Sequence, residues 1–144
     1  MIERIVRETG TRAIVSSGWG GLSSDNVNDE QILLVGNVNH ELVMPMCAAV
    51  VHHGGAGTTA ASSRAGIPAV ICSVSYDQPF WGRRIAALGT GSTFEFSDLG
   101  YQRLLTSLEH AMSDEAKARA VAVAEAMRRD AVRLAADLVE ATVA

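Results

Sequence analysis

The sequence predicts an α/β fold in which a parallel sheet is covered by helices on both faces. Three observations carry this. Short apolar runs of strand length are continuous rather than alternating, as at Ile32-Leu33-Leu34-Val35 and Ala69-Val70-Ile71-Cys72, which marks strands buried on both faces. These runs alternate along the chain with stretches of helical period. The turns that follow them are rich in glycine, and in open α/β sheets ligands sit beyond the C-terminal strand ends.

Taken in order, Ile2, Ile5 and Val6 recur at helical spacing and Gly10 closes the run, so residues 2–9 read as a helix. Arg12–Ser17 holds Ala-Ile-Val and reads as a strand, broken by Gly18-Trp19-Gly20-Gly21 and a polar loop over 23–30. Gln31–Gly36 is a second strand. His40–Met46 reads as a short helix or turn, disturbed by Pro45, which lacks a backbone donor. Ala48–His52 is the third strand. Thr58–Ala65 is a helix ended by Gly66 and Pro68. Ala69–Val74 is the fourth strand, and Pro79 opens a helix through Trp81, Ile85 and Leu88 that ends near Gly89. Gly91–Phe96 suits a short edge strand. Asp98 is a candidate N-cap for a helix over 99–112, and Ser113 for a long C-terminal helix from Asp114 to about Thr142.

A chain of 144 residues fits one domain over 1–144, long enough to bury roughly two thirds of its unfolded surface. With 48% hydrophobic and 19% charged residues it reads as globular. A net charge of −4 without a basic cluster argues against nucleic acid as a partner. Cys47 and Cys72 show no paired spacing and no Cys/His metal pattern, so no metal is expected and both read as reduced core thiols of a cytoplasmic protein. Met1–Gly10 carries Glu3, Arg4, Arg7 and Glu8, unlike a secretory leader. No apolar run approaches the ~20 residues of a membrane span; peripheral membrane contact stays open.

The stretch Val50-Val51-His52-His53-Gly54-Gly55-Ala56-Gly57-Thr58-Thr59 concentrates the chemistry. A strand runs into a glycine turn and then a helix whose first N–H groups lack partners. Together with the helix dipole these make a seat for phosphate. The alternative is a tight turn whose glycines serve packing alone. Trp19 is exposed by its glycine neighbours, free either to stack on a base or to wedge its loop against the sheet. Asp77, on the residues alone, reads as a cap for the helix that Pro79 begins sooner than as a ligand contact. Trp81 reads as core.

From Val50 to Gly91 the chain resembles the donor-binding half of inverting glycosyltransferases of the two-domain GT-B type, in particular the bacterial antibiotic and sterol branch. The residues that carry this are the HHGGAGTT run at 52–59, Gly66-Ile67-Pro68 and Asp77-Gln78-Pro79-Phe80-Trp81. The resemblance implies a Rossmann-like domain that binds a nucleotide diphosphate sugar as co-substrate, with no further cofactor. It places His53 on the donor diphosphate, gives Gly55, Gly57 and Thr58 to the phosphates, and sets Asp77 and Gln78 on the sugar hydroxyls. His52 falls to packing or orienting. Where many members carry Pro-His or Pro-Gln near the base-binding loop this chain has Asn39-His40, and Asn37 replaces a base-stacking tryptophan. The resemblance therefore leaves uridine and thymidine donors open.

Two features of the family fall outside this sequence as it stands. The acceptor site and the general-base histidine belong to an N-terminal domain, and none of His40, His52, His53 and His110 matches that base. The first, central strand should precede the helix at 2–9, so the strands at 12–17 and 48–52 lose their shared neighbour. Either those two strands pair directly or the domain takes a strand from another chain. The leading expectation is a donor-binding part of a glycosyltransferase, inactive alone and dependent on an N-terminal domain or subunit. The alternative is a non-catalytic nucleotide-binding or assembly module; an epimerase of similar fold ranks third.

Overall fold

The computed structural model describes residues 1–17, 30–128 and 130–143. Helix α1 (Ile2–Thr9) ends on Gly10 in the left-handed conformation at φ 65°. Strands β1 (Ala13–Ser16) and β2 (Ile32–Val35) follow, then the short helix α2 (His40–Val43) and a 3-10 turn over Met44–Met46. Strand β3 (Val50–His52) feeds α3 (Ala56–Ala65), which closes on Gly66 at φ 68°. Next come β4 (Ala69–Ser73), α4 (Gln78–Ala87) and the edge strand β5 (Gly91–Glu95). Helices α5 (Tyr101–Ala111), α6 (Asp114–Ala126) and α7 (Ala131–Val143) complete the chain.

Every strand pair is parallel, as continuous apolar runs require. β4 is central, and all five of its residues are buried. Val70 and Cys72 face Ile5 of α1, Leu104 and Ala111 of α5, and Phe94. Ala69 and Ile71 face Ile85 of α4 and Val50 on the other side. Met44, Ala61 and Ile67 form a third cluster beside α3. Helices thus cover both faces.

The strands nevertheless fall into two sheets, β1-β2 and β3-β4-β5. Direct pairing of β1 with β3, one of the two arrangements expected for a chain lacking the central strand, does not occur. The anchoring of α1 explains it. Ile5 is packed in the core, Tyr101 of α5 donates its hydroxyl to Glu8, and the Arg4 guanidinium lies 3.8 Å from the Tyr101 ring centroid. Only residues 10–12 link α1 to β1. Moving β1 one strand spacing, about 4.8 Å, would pull α1 from that packing. Ile14, Leu33 and Val51 are exposed.

Two local readings shift. Asp98 lies in a 3-10 turn over Phe96–Asp98 and does not cap α5, whose N-cap is Gly100. Ser113 caps α6 as expected, its hydroxyl accepting from the Ala116 N–H at 3.2 Å. The long C-terminal helical stretch spans its expected range but is interrupted between Ala126 and Ala131. Met127 there is extended, and the Asp130 carbonyl accepts from Leu134 N–H to start α7 afresh. Among the described residues no helix is long and apolar enough to cross a membrane.

Candidate functional site

β3 delivers the chain to the turn at its C-terminal end, and the turn is fixed by two contacts. Gly54 has φ 91°, a region that disfavours any side chain. A Cβ there would come within 2.5 Å of Ile71 Cγ2 and 3.2 Å of the Gln78 carbonyl oxygen. The turn after β3 is therefore pressed against the start of α4, and the two loops singled out in the sequence share one end of the sheet. Trp19, from the third such loop, lies outside the described residues.

The start of α3 is open. Gly55 is its N-cap and offers no side chain to the first N–H groups. Those groups and the helix dipole favour an anion. His53 is exposed, and its ring bends over the turn: a Cβ on Gly55 would stand 2.6 Å from His53 Nε2. At Gly57 a Cβ would meet nothing within 4 Å, so no protein atom demands glycine there. The two threonines part company. Thr59 is buried and its hydroxyl donates to the Gly55 carbonyl at 3.0 Å. Thr58 is half-buried and makes no such bond among those described.

Beside this turn, the loop from β4 to α4 is built around Gln78. Its Oε1 accepts from the N–H groups of Val74 at 2.8 Å and Ser75 at 3.1 Å, leaving the amide nitrogen as its outward donor. Tyr76 sits at φ 58° and is 96% exposed, an energetically costly conformation for a bulky residue. Asp77 occupies the N-cap position of α4 without capping it. Its Oδ2 instead accepts from the Trp81 indole N–H at 2.8 Å. Trp81 is half-buried, edge-on to Phe80, and serves this carboxylate as well as packing.

His52, assigned only a packing or orienting part from the sequence, is the electrostatically unusual group. Burial, with lesser contributions from His53 and His40, holds its pKa down at about 4. The neighbouring loop also has a structural use: Asn39 caps α2, its side chain accepting from Glu41 N–H at 3.0 Å. Sequence reasoning placed Gly54 in the glycine turn without its wedge against Ile71 and Gln78, and missed Tyr76, because a positive φ shows in neither composition nor spacing. Among the described residues no group of three or more His, Cys, Asp or Glu is placed to hold a metal ion.

Residues 22–140 match the family model described as erythromycin biosynthesis protein CIII-like, C-terminal domain. The chain is 38% identical over 129 residues to sterol 3-beta-glucosyltransferase UGT80A2 of Arabidopsis thaliana, covering 89% of this chain and 20% of that protein. It is 38% identical over 133 residues to vancomycin aglycone glucosyltransferase of Amycolatopsis orientalis, covering 92% of this chain and 32% of that protein. The solved structure of glycosyltransferase VinC in complex with DTDP superimposes with a TM-score of 0.74 at 25% identity, over 85% of this chain and 31% of that one. The chain thus spans between a fifth and a third of the length of these relatives.

Proposed function

This chain belongs to the erythromycin biosynthesis protein CIII-like C-terminal domain family, and from that premise we propose that it is the donor-binding part of a glycosyltransferase. It holds a nucleotide diphosphate hexose, of the uridine or thymidine type, for transfer to a hydroxyl of a lipophilic acceptor. The observation that carries this is the contact of Gly54 with the start of α4. It sets the open N-terminus of α3 beside the loop that carries Asp77 and Gln78.

In that reading His53, Gly55, Gly57 and Thr58 receive the diphosphate, and Asp77 and Gln78 the sugar hydroxyls. A carboxylate oxygen accepts from a hydroxyl and an amide nitrogen donates to one. Inverting transfer needs the acceptor oxygen to lose its proton as it attacks the anomeric carbon, while the bond to the diphosphate breaks. The α3 N-terminus stabilises the departing charge. The base and the acceptor site lie in an N-terminal domain or subunit, so this chain alone binds donor and does not transfer sugar. The relative named for a sterol supports a lipophilic acceptor, the one named for vancomycin aglycone supports an aglycone acceptor, and the DTDP complex supports a thymidine-type donor. We place the protein in the cytoplasm, where nucleotide sugars are made.

A second reading is favoured by the divided sheet: a non-catalytic nucleotide-binding or assembly module whose β1–β3 gap takes a strand from another polypeptide or a second copy. Calorimetric titration of the chain with uridine and thymidine diphosphates and their glucose conjugates tests the donor site. His53→Ala should weaken all four ligands at least tenfold, and Asp77→Ala should abolish the extra affinity given by the sugar. No binding at millimolar ligand would sink the donor-site reading. Sugar transfer that appears on adding an acceptor domain would separate an enzyme part from a passive module.

A further inference from the structure

We propose that His52 is a positioning residue for the phosphate turn: its imidazole accepts the Gly54 N–H and so fixes which backbone donors remain for a ligand. This rests on the donor-site reading above and deepens it.

The geometry begins with one bond. Gly54 N–H donates to His52 Nδ1 at 3.0 Å. Nδ1 must therefore be unprotonated, and the ring's hydrogen sits on Nε2. The opposite tautomer would bring two N–H hydrogens face to face. Nε2 is buried and has no hydrogen-bond partner among the described residues, so the tautomer is set by Gly54 alone. Burial keeps the ring neutral, with its pKa near 4, and hence keeps Nδ1 an acceptor at neutral pH.

Gly54 is held on its other side by Ile71 and the Gln78 carbonyl. Two consequences follow. The Gly54 amide is occupied by protein and is not part of the anion seat, whose donors start beyond it, in the first turn of α3. The orientation of that turn depends on an imidazole that touches no ligand. His52 acts through Gly54, whereas His53, exposed at the same turn, is the histidine that the donor-site reading gives to the ligand.

The test compares two variants of the full chain. His52→Phe keeps the ring and loses the acceptor. His52→Asn puts an oxygen near the place of Nδ1 and keeps it. Hydrogen exchange of the Gly54 amide and titration with uridine and thymidine diphosphates are read on each. His52→Phe should speed Gly54 exchange and weaken diphosphate binding, each about tenfold, as loss of one hydrogen bond allows. His52→Asn should bring both back to within about threefold of the parent. Equal Gly54 exchange in parent and His52→Phe, or an Asn variant no better than the Phe variant, overturns the proposal. If the parent binds neither diphosphate, the donor-site reading fails and Gly54 exchange alone judges His52. If His52→Phe does not fold, nitrogen chemical shifts of His52 in the parent decide: the Nε2–H tautomer supports the proposal and the Nδ1–H tautomer overturns it.

Discussion

Trp81 donates its indole N–H to the Asp77 carboxylate at 2.8 Å, one helical turn away on α4. The bond explains why Asp77 leaves the cap of α4 unmade: its Oδ2 is held at the side of the helix. That leaves Oδ1 outside this bond, and in the proposed donor site it is the oxygen that would meet a sugar hydroxyl. Trp81→Phe keeps the half-buried ring and removes the donor. The variant should bind uridine diphosphate like the parent yet lose most of the extra affinity for the glucose conjugate, about threefold to tenfold. Paired calorimetric titrations check it, and an unchanged sugar increment would show that Asp77 needs no such support.

The depressed His52 pKa makes stability depend on pH in a stated direction. The ordinary value is 6.5 and the folded value about 4, so between them the unfolded chain binds more protons. Stability therefore rises with pH across that window. The contribution is fully present above 6.5 and is lost as pH falls towards 4. At about 1.4 kcal/mol per unit, the span implies on the order of 2–3 kcal/mol for this partly covered ring. Denaturant unfolding at intervals from pH 4 to 7 should show that slope, and His52→Asn should flatten it. A parent curve as flat as the variant's would mean that the ring is not neutral by virtue of burial.

Gly91 joins α4 to the edge strand at φ 149°, with its missing side chain aimed at the neighbouring strand. A Cβ there would lie 1.8 Å from the Ala69 carbonyl oxygen, a backbone atom of the central strand that cannot step aside. Gly91→Ala should cost about 3 kcal/mol or more, through overpacking and strained backbone together. Its unfolding midpoint in urea reports this directly. A loss below about 1 kcal/mol would imply that β5 can shift away from β4 without unpairing.

Much of this was legible in the chain because its signals are local. Gly10 and Gly66 follow helical runs and close them in the left-handed conformation, and Ser113 opens α6 as a hydroxyl N-cap should. Parallel strands announced themselves by runs such as Ala69–Ser73, buried at every position. What could not be read depends on distant partners or on φ alone. Tyr101 holds Glu8 from far along the chain, and with Ile5 in the core it anchors α1 beside α5. At the site, the spacing of His53 from Asp77 was visible, but the wedge of Gly54 between Ile71 and Gln78 was not. Asp77 looked like a cap because caps precede prolines; its true partner, Trp81, stands four residues on.

The separation of β1 from β3 yields a last prediction at the level of single amides. Ala13 N–H donates to Gln31 and Ser17 N–H to Val35, so the alternate amides of β1, Ile14 and Ser16, point away from β2. Val50 N–H donates to Pro68, so the amide of Val51 points away from β4. None of the three amides is therefore part of a strand ladder among the described residues. Hydrogen exchange should be fast at Ile14, Ser16 and Val51, and at least a hundredfold slower at Val70 and Ile71 within the central strand. Joining the chain to a preceding acceptor domain that supplies a strand should slow the first three together, since one strand would pair with both edges. Slow exchange at all three in the 144-residue chain, with solution sizing that reports a dimer, would instead show that a second copy already fills the gap.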